Sequence, residues 1–181
     1  MKFYESGDNR KPVIFLFPGT CCQYSSFDHV LDGLHSYFYT VAVSYDGFDP
    51  NEKTEFYSME DECEKIEQEI RTKYGGRIKA AYGCSLGGSF VSLLIQRKRI
   101  HIDYGIIGSS DMDEAGNLVA KIQASMVVPF MYKMIHTGAL PKFMQKKLNK
   151  TDGAKKELYN GFLNMFGIGK GGSPWLSLIH I

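Results

Sequence analysis

The stretch Gly83-Cys84-Ser85-Leu86-Gly87-Gly88 decides the fold prediction for this chain. A Gly-x-Ser-x-Gly sequence is typical of a nucleophile elbow, a sharp turn between a strand and a helix that presents a serine hydroxyl. The apolar run 78–82 before it fits a buried strand, and the unbroken apolar run 89–95 after it fits a helix. The glycines leave room for the strained backbone that such a turn requires. This context favours an elbow over an ordinary glycine-rich turn.

Strand-like and helix-like patterns alternate on both sides of the elbow. Such alternation is typical of an α/β protein with an open, mostly parallel sheet, whose ligand sites lie at the carboxyl ends of the strands. The charged residues of the helix predicted at 58–73 indicate a solvated face. Outside the elbow, strands are predicted at 2–5, 13–17, 39–44 and 102–109, and helices at about 25–37 and at 58–73.

The character of the sequence changes after residue 110. Residues 118–166 hold five of the eight methionines, several phenylalanines and three helical patterns. Methionine and phenylalanine form adaptable apolar surfaces, so this stretch predicts a helical lid over an apolar substrate, with a few extra core helices as the alternative. We therefore expect a core at 1–110, a lid or cap insertion at 111–170 and a loop with a tail at 171–181.

Composition and charge exclude several classes of protein. The formal net charge is +1 and the isoelectric point is near 7.7, which gives no electrostatic case for binding nucleic acid or a membrane surface. No run reaches the roughly 18 apolar residues of a membrane span. The four cysteines lack zinc-ligand spacing. We expect a cytoplasmic protein with reduced thiols, no metal and no cofactor, whose partner is a small molecule.

Taken together, these patterns resemble the α/β-hydrolase superfamily, and more closely the small serine hydrolases of that fold in anaerobic gut bacteria. The resemblance covers residues 1 to about 170. It rests on Ile-Phe-Leu-Phe-Pro-Gly-Thr-Cys-Cys at 14–22, on the elbow, and on Ile-Ile-Gly-Ser-Ser-Asp at 106–111. It implies a helical lid insertion in an α/β-hydrolase core, whose last strands are missing from this chain.

The resemblance also implies roles for residues at the elbow. Ser85 corresponds to the nucleophile, and the backbone N–H groups of Leu86 and Thr20 correspond to the oxyanion hole. Attack on an ester carbonyl places negative charge on oxygen, and two fixed amide donors stabilise that charge. Cys21 is an alternative to Thr20 as the second donor. Cys84 is disfavoured as the nucleophile because the elbow presents position 85.

A serine nucleophile needs a histidine base and an acid that orients it, and in this family both follow the serine in the chain. Asp111 follows the strand after the elbow, where some members place the acid, although a turn or helix-cap role is the alternative. His136 reads as an ordinary helix residue. Residues 176–181, which include His180, match the translation of a transposon-end sequencing adapter. We expect this tail to be non-native and the native frame to be cut near Trp175.

The resulting functional prediction is a serine hydrolase that cleaves a carboxylic ester or thioester through an acyl-enzyme on Ser85. The substrate is expected to be a small molecule with an apolar acyl group. The chain as given is expected to be an incomplete fragment that is inactive without its base. Two alternatives stay open, a non-catalytic binding protein with the same fold and an acyltransferase.

Overall fold

The computed structural model describes residues 1–20, 22–49 and 52–110, together with the single residues 125, 142, 146 and 153. The chain divides into two compact units, Met1–Met112 and Asp113–Ile181. The first unit carries all the strands and helices described below. Apart from those single residues, the predicted insertion at 111–170 and tail at 171–181 lie outside the described residues.

After two consecutive strands at its start, helices and strands alternate along the first unit, as the sequence predicts. The helix predicted at about 25–37 is shorter than expected, because a 3₁₀ turn replaces its first residues. The elements are β1 (Lys2–Ser6), β2 (Val13–Phe17), the 3₁₀ turn (Tyr24–Phe27), α1 (Asp28–His35), β3 (Tyr39–Ser44), α2 (Met59–Tyr74), β4 (Arg77–Cys84), α3 (Leu86–Arg97) and β5 (His101–Gly108).

The five strands form one sheet in the order β1-β3-β2-β4-β5. Strands β2 to β5 run parallel to their neighbours, and β1 pairs antiparallel with β3. The prediction of a mostly parallel α/β sheet is therefore confirmed. In the sheet register Phe17 lies opposite Gly83, and Cys84 lies opposite Gly108. The carboxyl ends of β2, β4 and β5 are thus level, and the loops that follow them begin at one edge of the sheet.

Strand β2 is buried on both faces, which explains its continuous apolar sequence. Phe15 and Phe17 are fully buried and pack towards the face that holds residues of α2 and α3. Ile14 and Leu16 pack on the other face with Phe27 and residues of α1. Such helix-covered faces keep a parallel sheet away from water, so β2 and the elbow strand β4 form a rigid support for the loops at their ends.

Helix α2 begins and ends at residues of types that commonly cap helices. The Ser58 side chain accepts a hydrogen bond from the backbone N–H of Asp61 at 3.1 Å. Gly75 ends the helix with a φ of 62°, a left-handed conformation that glycine adopts without a steric penalty. The expected solvated face is wrong for two acids, because the side chains of Glu62 and Glu67 are 0% exposed.

Basic groups compensate both buried carboxylates. Glu67 accepts a hydrogen bond at 2.6 Å from Nε of Arg97, which lies at the end of α3. Glu62 accepts one at 2.7 Å from Lys65 and another at 3.0 Å from the backbone N–H of Asp46, the second residue after β3. Buried carboxylates need such partners because an unpaired charge in the interior is costly. The acids therefore join α2 to α3 and to the loop after β3.

Strand β5 forms one edge of the sheet within the described residues. Its side chains Tyr104, Ile106 and Ile107 are exposed. The resemblance implies that the strands which would follow β5 are missing from this chain, and apart from four single residues the sequence after residue 110 lies outside the described residues. No described helix is long and apolar enough to cross a membrane.

Candidate active site

Ser85 occupies the turn between β4 and α3. Its backbone has a φ of 53° and a ψ of −120°, a conformation that side-chain-bearing residues rarely adopt. Its N–H donates to the carbonyl of Gly108 at 2.9 Å, and its own carbonyl accepts from the N–H groups of Gly88 and Ser89 at 2.9 and 3.2 Å. The side chain of Ser85 is exposed. The surrounding backbone therefore holds the strained turn in place and presents the hydroxyl to solvent.

The three elbow glycines are required by close contacts, with backbone atoms at Gly83 and Gly87 and with side-chain atoms at Gly88. A Cβ on Gly83 would overlap the carbonyl of Gly87, and a Cβ on Gly87 would overlap the carbonyl of Phe17. A Cβ on Gly88 would lie 2.5 Å from the Cβ of Ser110. Strand β4, helix α3 and the ends of β2 and β5 thus meet without room for side chains. This agrees with the small residues that the sequence analysis expected at 83, 87 and 88.

The loop after β2 lies directly beside Ser85. A Cβ on Gly19 would lie 3.6 Å from the Cβ of Ser85 and 3.4 Å from the carbonyl oxygen of Cys84. The N–H of Cys22 donates to the carbonyl of Gly19 at 3.1 Å and closes a turn through Thr20, whose side chain is exposed. The structure therefore brings the loop that contains Thr20 next to the serine. Its role as an oxyanion donor stays a prediction.

Leu86 is the first residue of α3. The N–H groups of the first helical turn have no acceptor within the helix, and they point towards its N-terminus, where the helix dipole favours negative charge. This position suits a donor to negative charge, and the role of the Leu86 N–H in the oxyanion hole stays a prediction. Cys21, the alternative to Thr20 as the second donor, lies outside the described residues.

The end of β5 completes the surroundings of the elbow. Ser110 Oγ lies 3.0 Å from Ser89 Oγ of α3, and Ser109 has a φ of 49°. Together with the bond between Ser85 N–H and the Gly108 carbonyl, these contacts hold residues 108–110 against the elbow. Asp111 is the next residue in the chain, but it lies outside the described residues. Its role as the acid stays a prediction.

Three histidines lie in the described residues, and His29 is one of them, in helix α1. His35 Nε2 lies 2.9 Å from Ser6 Oγ, next to the start of β3. His101 is at the amino end of β5, and its Nε2 lies 3.1 Å from a carboxylate oxygen of Asp103. Among the described residues, no hydrogen bond joins a histidine to Ser85. His136 and His180 lie outside the described residues.

A thiol lies close to the same loop. The Cys22 Sγ is 3.7 Å from the position that a Cβ on Gly19 would take. Burial, together with the nearby Cys84 thiol, raises the pKa of Cys22 above its usual value. Cys22 therefore stays protonated near neutral pH and is a poor nucleophile, since the thiolate is the reactive form. In the described part of the chain, no group of three or more His, Cys, Asp or Glu residues could hold a metal ion.

Tyr45 is a residue near the site that the sequence analysis did not single out. It follows the last residue of β3, is 0% exposed, and its hydroxyl donates to the carbonyl of Pro18 at 3.1 Å. The sequence could have indicated that Tyr45 lies near the site, because it directly follows a buried strand and the sites of parallel sheets lie at the carboxyl ends of the strands. The hydrogen bond itself could not be inferred, because its partners are 27 residues apart.

No protein-family model matches this chain, and no curated protein matches it in sequence. Its fold is nevertheless similar to solved structures. An α/β-hydrolase family protein from Desulfitobacterium hafniense has a TM-score of 0.70 at 15% identity, with 98% of this chain and 69% of that chain covered. A carboxylesterase structure from Nitrososphaera gargenis has a TM-score of 0.60 at 14% identity, with 98% and 65% covered.

A hydrolase from Pseudomonas aeruginosa is also similar, with a TM-score of 0.62 at 14% identity over 97% of this chain and 64% of that chain. These likenesses show that the chain has the α/β-hydrolase fold. The chain spans 64% to 69% of the length of these three proteins.

Proposed function

We propose that this protein is a serine hydrolase that cleaves a carboxylic ester or thioester through an acyl-enzyme on Ser85. The observation that carries the proposal is the backbone of Ser85, with a φ of 53° and a ψ of −120°, between β4 and α3. Strain of this kind persists only where the surroundings impose it, and it clusters at functional sites. The exposed side chain at this turn is accessible to a substrate.

The proposed reaction has two stages. The Ser85 hydroxyl oxygen attacks the carbonyl carbon, its proton passes to a base, and the tetrahedral intermediate expels an alcohol or a thiol. The protonated base gives its proton to the leaving alcohol or thiol. Water then attacks the acyl-enzyme, one of its protons passes through the base to Ser85, and the carboxylic acid product is released. The N–H groups of Leu86 and Thr20 stabilise the oxyanion in both stages, and the start of α3 adds its dipole. Asp111 is proposed as the acid, with a histidine outside the described residues as the base.

The choice of ester chemistry has support beyond the elbow. Similar solved structures include carboxylesterases and a marine esterase, at identities of 14% and 13%. The methionine- and phenylalanine-rich sequence of 118–166 favours an apolar acyl group.

A fluorophosphonate probe tests the proposal directly, because an activated serine displaces its fluoride and becomes phosphonylated. The probe is applied to the 181-residue chain and, in parallel, to the protein encoded by an unfragmented genomic copy of the gene. Peptide mass spectrometry then locates the label. We expect the label on Ser85 in the protein from the intact gene, hydrolysis of p-nitrophenyl esters by the same protein, and loss of both in Ser85→Ala.

Cys84→Ala is the matched control, since it removes the neighbouring thiol and leaves the proposed nucleophile in place. We expect this variant to keep its label on Ser85. A label that moves to a cysteine, or the absence of a label in both proteins, would contradict the proposal. The second result would favour the non-catalytic binding protein.

A further inference from the structure

The carbonyl of Pro18, just after β2, accepts a hydrogen bond from a tyrosine that follows a different strand, β3. We propose that Tyr45 is a positioning residue that holds the oxyanion-hole loop after β2 in its productive orientation. The inference rests on the proposed function, because the loop matters to catalysis only if Ser85 is the nucleophile. It adds a residue from the loop after β3 to a site otherwise built at the ends of β2, β4 and β5.

The hydrogen bond joins two buried groups. Tyr45 is 0% exposed, Pro18 is also buried, and the hydroxyl donates to the carbonyl over 3.1 Å. Burial raises the pKa of Tyr45 well above 10, so the hydroxyl keeps its proton and remains a donor at any ordinary pH. A buried carbonyl without a donor is costly. Without the Tyr45 hydroxyl, the Pro18 carbonyl loses this donor, and a rotation away from its present direction becomes more favourable.

The tyrosine ring is itself held firmly. It stacks on Phe90 of α3 with ring centroids 4.5 Å apart and an angle of 19° between the planes. Phe48 and Phe56 contact it edge-on, with centroids 5.7 and 6.4 Å away. Phe90 lies only five residues after Ser85, in the helix that begins at the elbow. The hydroxyl is thus placed relative to the same helix that carries the proposed donor Leu86.

The direction of the Pro18 carbonyl determines the path of the loop. The peptide bond is planar, so fixing this carbonyl also fixes the orientation of the N–H of Gly19. Gly19 is the residue that packs beside the Ser85 side chain, and Thr20 follows it. On the other side, a Cβ on Gly87 would lie 2.9 Å from the same Pro18 oxygen. Tyr45 and the elbow therefore hold this peptide group between them.

Tyr45→Phe removes the hydroxyl and keeps the ring stack. Tyr39→Phe is the matched control, because Tyr39 begins the same strand and donates to Glu5 at 2.7 Å, at the opposite end of β3. Hydrogen–deuterium exchange of the amides at 19–22 is measured in both variants and in the unmodified protein. For the protein that hydrolyses p-nitrophenyl esters, kcat and KM are measured separately.

We expect Tyr45→Phe to speed exchange in the loop and to lower kcat by about tenfold, with KM within about twofold, because poor placement of a donor acts mainly on the transition state. Tyr39→Phe should leave both unchanged. The inference is overturned if loop exchange in Tyr45→Phe equals that of the unmodified protein, if both variants change alike, or if exchange rises while kcat stays the same. If the unmodified protein has no turnover, the proposed hydrolase function fails, and the exchange result alone decides whether Tyr45 positions the loop.

Discussion

Gly87→Ala is expected to destabilise the protein, although alanine is the better helix former. Gly87 is the second residue of α3, and the exchange of glycine for alanine inside a helix ordinarily stabilises by about 0.5–1 kcal/mol. Here the added Cβ would overlap the carbonyl group of Phe17 and would lie 2.9 Å from the Pro18 oxygen. Both obstacles are backbone atoms at the end of β2, and they cannot rotate away as a side chain would.

The net effect follows from these two opposing contributions. Overpacking that shifts the backbone costs about 1–3 kcal/mol, and the upper end applies where the obstacle is a buried strand. Subtracting the helix gain leaves a loss of about 2 kcal/mol in the free energy of unfolding. With a urea m-value of about 2 kcal/mol/M, the unfolding midpoint should fall by about 1 M.

Gly33→Ala is the matched control for this measurement. Gly33 lies in α1, its φ is outside the left-handed region, and a Cβ there would meet nothing within 4 Å. Its midpoint in urea, followed by circular dichroism at 222 nm, should rise by about 0.3–0.5 M. If Gly87→Ala raises the midpoint as Gly33→Ala does, the close contact between the elbow and β2 is refuted.

Two further predictions concern the buried acids of α2. Burial raises the pKa of the Glu62 carboxyl above its ordinary value of 4.5, so the folded protein binds the carboxyl proton more tightly than the unfolded chain does. The protonated carboxyl therefore contributes to the free energy of unfolding below pH 4.5, and this contribution is lost as the pH rises through the folded-state pKa. In urea unfolding, the free energy of unfolding of Glu62→Gln minus that of the unmodified protein should therefore be larger at pH 7 than at pH 4.5. An equal difference at both pH values would contradict this. Arg97→Met removes the closest partner of Glu67, at 2.6 Å, and should cost about 2–3 kcal/mol, less than an isolated buried pair because Arg99 also approaches Glu67 at 3.6 Å. The double variant Arg97→Met with Glu67→Gln should recover most of the stability lost in Arg97→Met. If the double variant is as unstable as Arg97→Met alone, the unpaired charge of Glu67 is not the cause of the loss.

Much of the fold could be predicted from local patterns in the sequence. The apolar run 13–17 predicted strand β2, and the pattern of 58–73 predicted helix α2, because these signals depend on residues close together in the chain. The spacing of glycines around Ser85 predicted the elbow for the same reason. Its backbone angles, and the close approach of Gly87 to the Phe17 carbonyl at the end of β2, then followed from the packing of three elements.

Other features depended on contacts between residues far apart in the chain. The charges of α2 looked like a solvated face, yet Glu62 and Glu67 are buried, because their partners come from the loop after β3 and from the end of α3. The bond from Tyr45 to Pro18 likewise arises only when β3 and β2 pair side by side. The sequence by itself determined the strand-turn-helix around Ser85, since that turn depends on which residues are small. The tertiary structure alone decided which loops lie beside the serine, since the order and register of the strands bring the ends of β2 and β5 to the elbow.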